Sequence, residues 1–191
     1  ELSEAARAIT NGNYETALNA AQAGKDALGD EVSKIETIRK KITSVRQEAI
    51  RLDNETPAST TDILTTLDEA AAALRNQDTQ QARQLTERSQ SRVNALKSGY
   101  ENATREITEL TESISSAQNQ SVPIYNSSDA LNSSQTALKS GEFETAASMA
   151  NSSRSSLESR IQTVETYRNH KQRADELFET IAKDVGPLVE E

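Results

Sequence analysis

The chain has 191 residues, of which 34% are hydrophobic and 3% aromatic, with no Trp and no Cys. So few large side chains argue against one thick globular core, and the lack of Cys excludes disulfides and thiolate metal sites. The net charge of −9 disfavours nucleic-acid binding, because an acidic surface repels phosphate groups. No apolar run reaches the roughly 20 residues of a transmembrane helix.

A seven-residue motif, Asn11–Ala17, recurs along the chain with a period of 64–65 residues. Its copies end at Ala17, Ala82 and Ala146, and the middle copy is degenerate. A short apolar pattern with helical spacing precedes each copy, and a long heptad pattern follows it. The sequence therefore predicts an all-α fold of three tandem repeats, each a short helix of about 12–16 residues, a Gly-x-aromatic turn and a long helix of about 40 residues.

The long helices are predicted at about 14–53, 78–119 and 142–185. In each of them, six positions spaced 3-4-3-4-3 form the a/d seam of an amphipathic helix. Seventeen of these eighteen positions are apolar or aromatic, and Lys171 is the exception. The seams consist of Ile35, Ile38, Ile42, Val45, Ala49 and Leu52; Tyr100, Ala103, Ile107, Leu110, Ile114 and Ala117; and Val164, Tyr167, Lys171, Ala174, Phe178 and Ile181.

The turn between the short and the long helix has its own signature. Gly12 and Gly141 suit a left-handed backbone position that ends the short helix. The middle copy has Gln77 at that place, so we expect Asn76 to adopt the left-handed conformation instead. Asp78 followed by Gln81 resembles a capping box that opens the next long helix.

The three prolines, Pro57, Pro123 and Pro187, each follow a long heptad stretch and predict loops there. They place the repeats at 1–57, 58–122 and 123–191. The chain opens inside a helical pattern, so we expect it to be part of a longer protein.

A short helix covers only about 20 Å of a 60 Å partner. We therefore expect the second half of one long helix, the next short helix and the first half of the following long helix to form a three-helix bundle. This connectivity resembles spectrin-type repeats, and the turn resembles tetratricopeptide helix pairs, although the period matches neither. The array would be a rod of roughly 120–140 Å, whose terminal units either fray, repack on themselves or meet further repeats.

Residues with reactive side chains do not form a recognisable catalytic pattern. His170 is the only histidine, and we interpret it as a solvent-facing residue rather than a metal ligand or pH switch. Lys171 either specifies the register or pairs with Asp175, or, as we favour, extends into solvent at an uncovered helix end. Acidic runs such as Glu106, Glu109 and Glu112 are interpreted as solvated surface. We expect no cofactor and no metal.

Tyr14 and Phe143 occupy the same position of the repeated turn. A binding pocket is one interpretation of this recurrence. We favour a hydrophobic anchor that closes the helix–turn–helix.

Six Asn-x-Ser/Thr triplets occur, and composition alone predicts about half that number or fewer. The triplet at Asn54 is a poorer acceptor because Pro57 follows it. The remaining five asparagines are candidate glycosylation sites in an exported protein. They are Asn102, Asn119, Asn126, Asn132 and Asn151.

These patterns favour a non-enzymatic scaffold: an elongated helical-repeat segment of a larger exported or cell-surface protein. The partners would be another protein or further repeats of the same parent chain, with no nucleic acid and with membrane contact only through the parent. One alternative is an extracytoplasmic sensor or ligand-binding domain of a signalling protein. Another is a cytoplasmic spectrin-like adaptor.

Overall fold

The computed structural model describes residues 2–185 and confirms an all-α fold, with no strand in that range. Short and long helices alternate along the chain. They are α1 (Leu2–Thr10), α2 (Tyr14–Glu55), α3 (Thr61–Arg75), α4 (Thr79–Asn119), α5 (Ser127–Lys139) and α6 (Phe143–Val185).

The long helices agree with the predicted bounds to within two residues. α2 runs without a break through Gly24 and Gly29. α1 has 9 residues, fewer than predicted for a short helix. Pro57 and Pro123 lie in the loops after α2 and α4, where the pattern predicted them. The prediction for Pro187 lies outside the described residues.

Each short helix ends in the same left-handed turn. Gly12 and Gly141 have φ angles of +73° and +77°, which confirms the prediction for these glycines. In the middle copy the prediction was wrong, because Gln77 itself adopts φ +62° while Asn76 keeps φ −82°. The hydrogen bonds explain this outcome. Gln77 N–H donates to the carbonyl of Leu74 and the next N–H donates to Ala73, which is a Schellman motif whose geometry requires the left-handed residue at that place.

In the first two copies, the side chain of the residue after the left-handed position caps the long helix. Asp78 Oδ1 accepts from Gln81 N at 2.9 Å, and Asn13 Oδ1 accepts from Thr16 N at 3.2 Å. Only this half of the predicted capping box at Asp78 forms, since the Asp78 N–H donates to the carbonyl of Ala73 instead. The repeated alanines lie four residues into the long helices, where they are buried. They are Ala17, Ala82 and Ala146.

The chain divides into two compact units, Glu1–Leu96 and Lys97–Glu191, with the boundary inside α4. In the first unit one apolar core joins the second half of α2 (35–55), α3 and the first half of α4 (79–96). Val45, Leu67 and Val93 are fully buried there, one from each of these helices. Arg46 of α2 and Asp68 of α3 form an ion pair across the edge of this core.

The second unit has buried residues in the second half of α4 (97–119), in α5 and in the first half of α6 (143–160). α5 packs along α6. Phe143 packs edge-on against Tyr100, with ring centroids 5.5 Å apart and an interplanar angle of 69°. Gly99 lies beneath the same ring, where a Cβ atom would come within 3.4 Å of Phe143. Phe143 is therefore a buried hydrophobic anchor, and these contacts join α6 to α4.

Candidate functional site

The second half of α6 (161–185) carries an uncovered apolar face. Its seam residues align with buried residues of α2 and α4, yet Tyr167, Phe178 and Ile181 are exposed, Phe178 to 72%. Leu177 adds a fourth large apolar side chain beside them. Burying a side chain of this size contributes about 1.5–3 kcal/mol, so the exposure is costly in water. We call Val164, Tyr167, Ala174, Leu177, Phe178 and Ile181 the α6 face.

A second apolar face lies on α1 and the first half of α2 (14–34). Leu28 is 66% exposed, whereas Val93 and Leu157, which occupy the same repeat position in α4 and α6, are fully buried. Tyr14 is 73% exposed, so the prediction that it anchors the turn as Phe143 does was wrong. The reason is that, within the described residues, no other long helix covers Tyr14 as Tyr100 of α4 covers Phe143. We call Leu2, Ile9, Tyr14, Leu18, Leu28 and Val32 the α1–α2 face.

Lys171 interrupts the α6 face. Its Nζ donates to Asp175 Oδ2 at 2.7 Å, and both side chains are exposed. This hydrogen bond, and then the negative charge of Asp175, raise the pKa of Lys171. Lys171 is therefore uncovered and also pairs with Asp175 one turn along, while its role in setting the register stays a prediction.

One acidic residue that we interpreted as solvated surface is buried. Glu106 of α4 accepts a hydrogen bond from Arg154 of α6 at 3.1 Å, and Arg105 also contacts its carboxylate. Arg154 further pairs with Glu109 and Glu158. The prediction was wrong because Glu106 adjoins the seam residue Ile107, where a facing helix covers it.

The electrostatics of Arg154 follow from this arrangement. Partial burial acts to lower the pKa of Arg154, but the charges of Glu109, Glu106 and Glu158 outweigh it and raise that pKa. The guanidinium group is therefore held in its charged form and links two helices of the second unit. Such an arrangement holds the two helices together and stabilises the packing of the second unit.

An open groove of about 790 Å³ runs between α5 and α6. Six of its ten lining residues bear a hydroxyl group, including Ser133 and Ser156, while Ala130 and Met149 add apolar surface. Tyr125 also lines the groove, with an exposed ring and φ +27°. Arg160 also lines the groove, donating to the carbonyl of Pro123 and to Ser127 Oγ. The sequence did not predict this groove, because its lining residues lie on different elements and form no motif along the chain.

The candidate glycosylation asparagines are all exposed: Asn102, Asn119, Asn126, Asn132 and Asn151. Asn119 ends α4 and Asn126 precedes α5, so these two flank the loop that contains Pro123. The other three lie within helices, and the amides of two of them are engaged. Asn102 accepts a hydrogen bond from Arg105, and Asn151 accepts one from Arg154.

His170 is exposed on α6, as the sequence predicted. Residues 2–185 contain no group of three or more His, Cys, Asp or Glu side chains placed to hold a metal ion. Within the same described range, no helix combines the length and apolarity that crossing a membrane requires.

Comparison of the chain with protein families, with curated proteins and with solved structures found no match.

Proposed function

We propose that this chain is a non-enzymatic structural or interaction scaffold, an elongated helical-repeat segment of a larger exported or cell-surface protein. One observation carries the proposal: a unit of a short helix, a turn and a long helix occurs three times along the chain. In a helical-repeat array each unit packs only on its neighbours, and the surface is left for partners. The long helices would each be shared by two successive three-helix bundles.

The chemistry of the described residues supports this class. The only histidine is exposed, and the strongest charge cluster, Glu106 with Arg154, is a helix-to-helix ion pair. The partners we propose are a protein or further repeats of the parent chain.

Small-angle X-ray scattering tests the elongated shape. A rod of roughly 120–140 Å has a radius of gyration of about 35–40 Å, whereas a globule of this length has about 16 Å. The measurement is made over a dilution series, so that the value of the single chain is extrapolated. A value near that of the globule would refute the rod.

The exported location is proposed from composition. The acidic, hydroxyl-rich surface and the six sequons are typical of displayed proteins, and the five candidate asparagines are exposed. Asn119 and Asn126 are the preferred acceptors because they flank a loop. Protease treatment of intact source cells tests the location: the segment is expected to be cleaved, and protection until the cells are lysed would favour the cytoplasmic adaptor.

A second candidate is the extracytoplasmic ligand-binding domain, which the α5–α6 groove favours. Its hydroxyl-lined wall and exposed Tyr125 ring suit a small polar ligand such as a sugar or an amino acid. A thermal-shift screen with sugars and amino acids tests this candidate. A ligand that raises the melting temperature of the wild type should have no effect on Ser133→Trp, in which the indole fills the groove. It should still raise the melting temperature of Ser44→Trp, a substitution on α2 outside the groove.

A further inference from the structure

One packing arrangement occurs twice in this chain. In the first unit the second half of α2 packs with α3 and the first half of α4. In the second unit the second half of α4 lies against the first half of α6, with α5 packed along α6. We call the short helix together with the first half of its following long helix the closing segment. Each closing segment covers the seam of the preceding long helix.

The chain contains a third seam and a third closing segment, and both are uncovered. The third seam is the α6 face, which aligns with the buried seams of α2 and α4. The third closing segment is α1 with the first half of α2. Leu2 and Leu28 are exposed there, while their repeat equivalents Leu67 and Leu157 are fully buried.

We propose that the α6 face of one copy binds the α1–α2 face of a second copy, head to tail. The repeat alignment identifies the occupant, because the segment that covers each buried seam is the same segment that is exposed at α1 and α2. The alignment also sets the register. Phe143 packs on Tyr100. Tyr14 is the repeat equivalent of Phe143, and Val164 lies one period after Tyr100, so Tyr14 of the second copy would pack on Val164 of the first.

This contact joins two different surfaces, so it does not close on itself and adds copies one after another. Lys171 occupies the seam position of Ile42 and Ile107, both of which are buried. A lysine at a seam position lowers stability while it specifies register. We therefore expect concentration-dependent association that is weaker than the packing inside either unit.

The proposal extends the scaffold function but fails independently of it, since a monomeric chain can still be an elongated scaffold. Sedimentation velocity over a concentration series measures the association directly. Wild type should rise in mass with concentration. Phe178→Lys and Leu28→Lys should each weaken association at least tenfold, and Lys171→Leu should strengthen it. Ile50→Lys, an exposed position on α2 outside both faces, is the matched control and should behave as wild type.

Mixing the two interface variants is the decisive experiment. Phe178→Lys keeps an intact α1–α2 face, and Leu28→Lys keeps an intact α6 face, so an equimolar mixture should form 1:1 dimers and stop there. Circular dichroism checks that each variant retains its helix content. Wild type that stays monomeric throughout would overturn the proposal. So would association lost in Phe178→Lys and kept in Leu28→Lys, which would mean that two α6 faces pair with each other.

Discussion

Gln77 holds a left-handed backbone conformation at the turn where the other two repeats have glycine, and this makes a quantitative prediction. A side chain with a β-carbon pays about 1–2 kcal/mol in that conformation. Glycine avoids this cost but loses about 0.5–1 kcal/mol more backbone entropy on folding. Gln77→Gly should therefore stabilise the protein by about 0.5–1 kcal/mol. For a chain of 150–250 residues this raises the melting temperature by about 1–4 °C.

Two further substitutions test the same reasoning from both sides. Gly141→Gln places a side chain at φ +77° and should destabilise the protein by a similar amount. Asn76→Gly is the matched control at the neighbouring residue. Its φ of −82° is already favourable for asparagine, so the change should be neutral or slightly destabilising.

Urea unfolding monitored by far-UV circular dichroism measures all three free-energy changes. The reasoning is refuted if Gln77→Gly fails to stabilise while Asn76→Gly does. That result would mean that Asn76 adopts the left-handed conformation, as the sequence alone predicts.

Three other predictions concern the packed units and their charges. Leu157→Ala should lower the free energy of unfolding by about 2–4 kcal/mol, and Leu28→Ala by less than about 0.5 kcal/mol, although both residues occupy the same repeat position. Urea titrations at low protein concentration measure both losses, and equal losses would contradict the difference in burial. A double-mutant cycle with Arg154→Met and Glu106→Leu should give a coupling energy of about 1–2 kcal/mol, which lies between the values typical of exposed and of buried ion pairs. A coupling energy near zero would argue against the contact. The raised pKa of Lys171 means that its stabilising contribution is complete below its ordinary value of 10.5 and is lost as the pH rises through the folded-state value. The stability difference between wild type and Lys171→Met should therefore be constant up to about pH 10 and shrink above it, and a difference that grows there would contradict this sign.

Local patterns predicted the helices well, because heptad spacing, glycines and caps act within a few residues of one another. The bounds of α2, α4 and α6 came from this spacing, and the turns at Gly12 and Gly141 came from the repeated motif. The same local reasoning misplaced Gln77. Residue preference pointed to Asn76, but the backbone hydrogen bonds that end α3 determine which residue must turn left-handed.

Tertiary packing decided the cases that single-helix patterns could not separate. In the sequence, Glu106 is one of several acidic residues in the same stretch. Only the tertiary structure shows that it is buried against Arg154 of the facing helix α6. Tyr14 and Phe143 are equivalent in sequence, yet one is exposed and the other packs on Tyr100.

The sequence by itself determined the all-α class, the repeat period and the helix boundaries, because these depend on spacing along one chain. Only the tertiary structure decided which copies of the repeated seam are covered, since burial depends on whether a neighbouring helix is present at that place. For this reason three similar seams differ in burial: those of α2 and α4 lie in packed cores, and that of α6 is largely exposed.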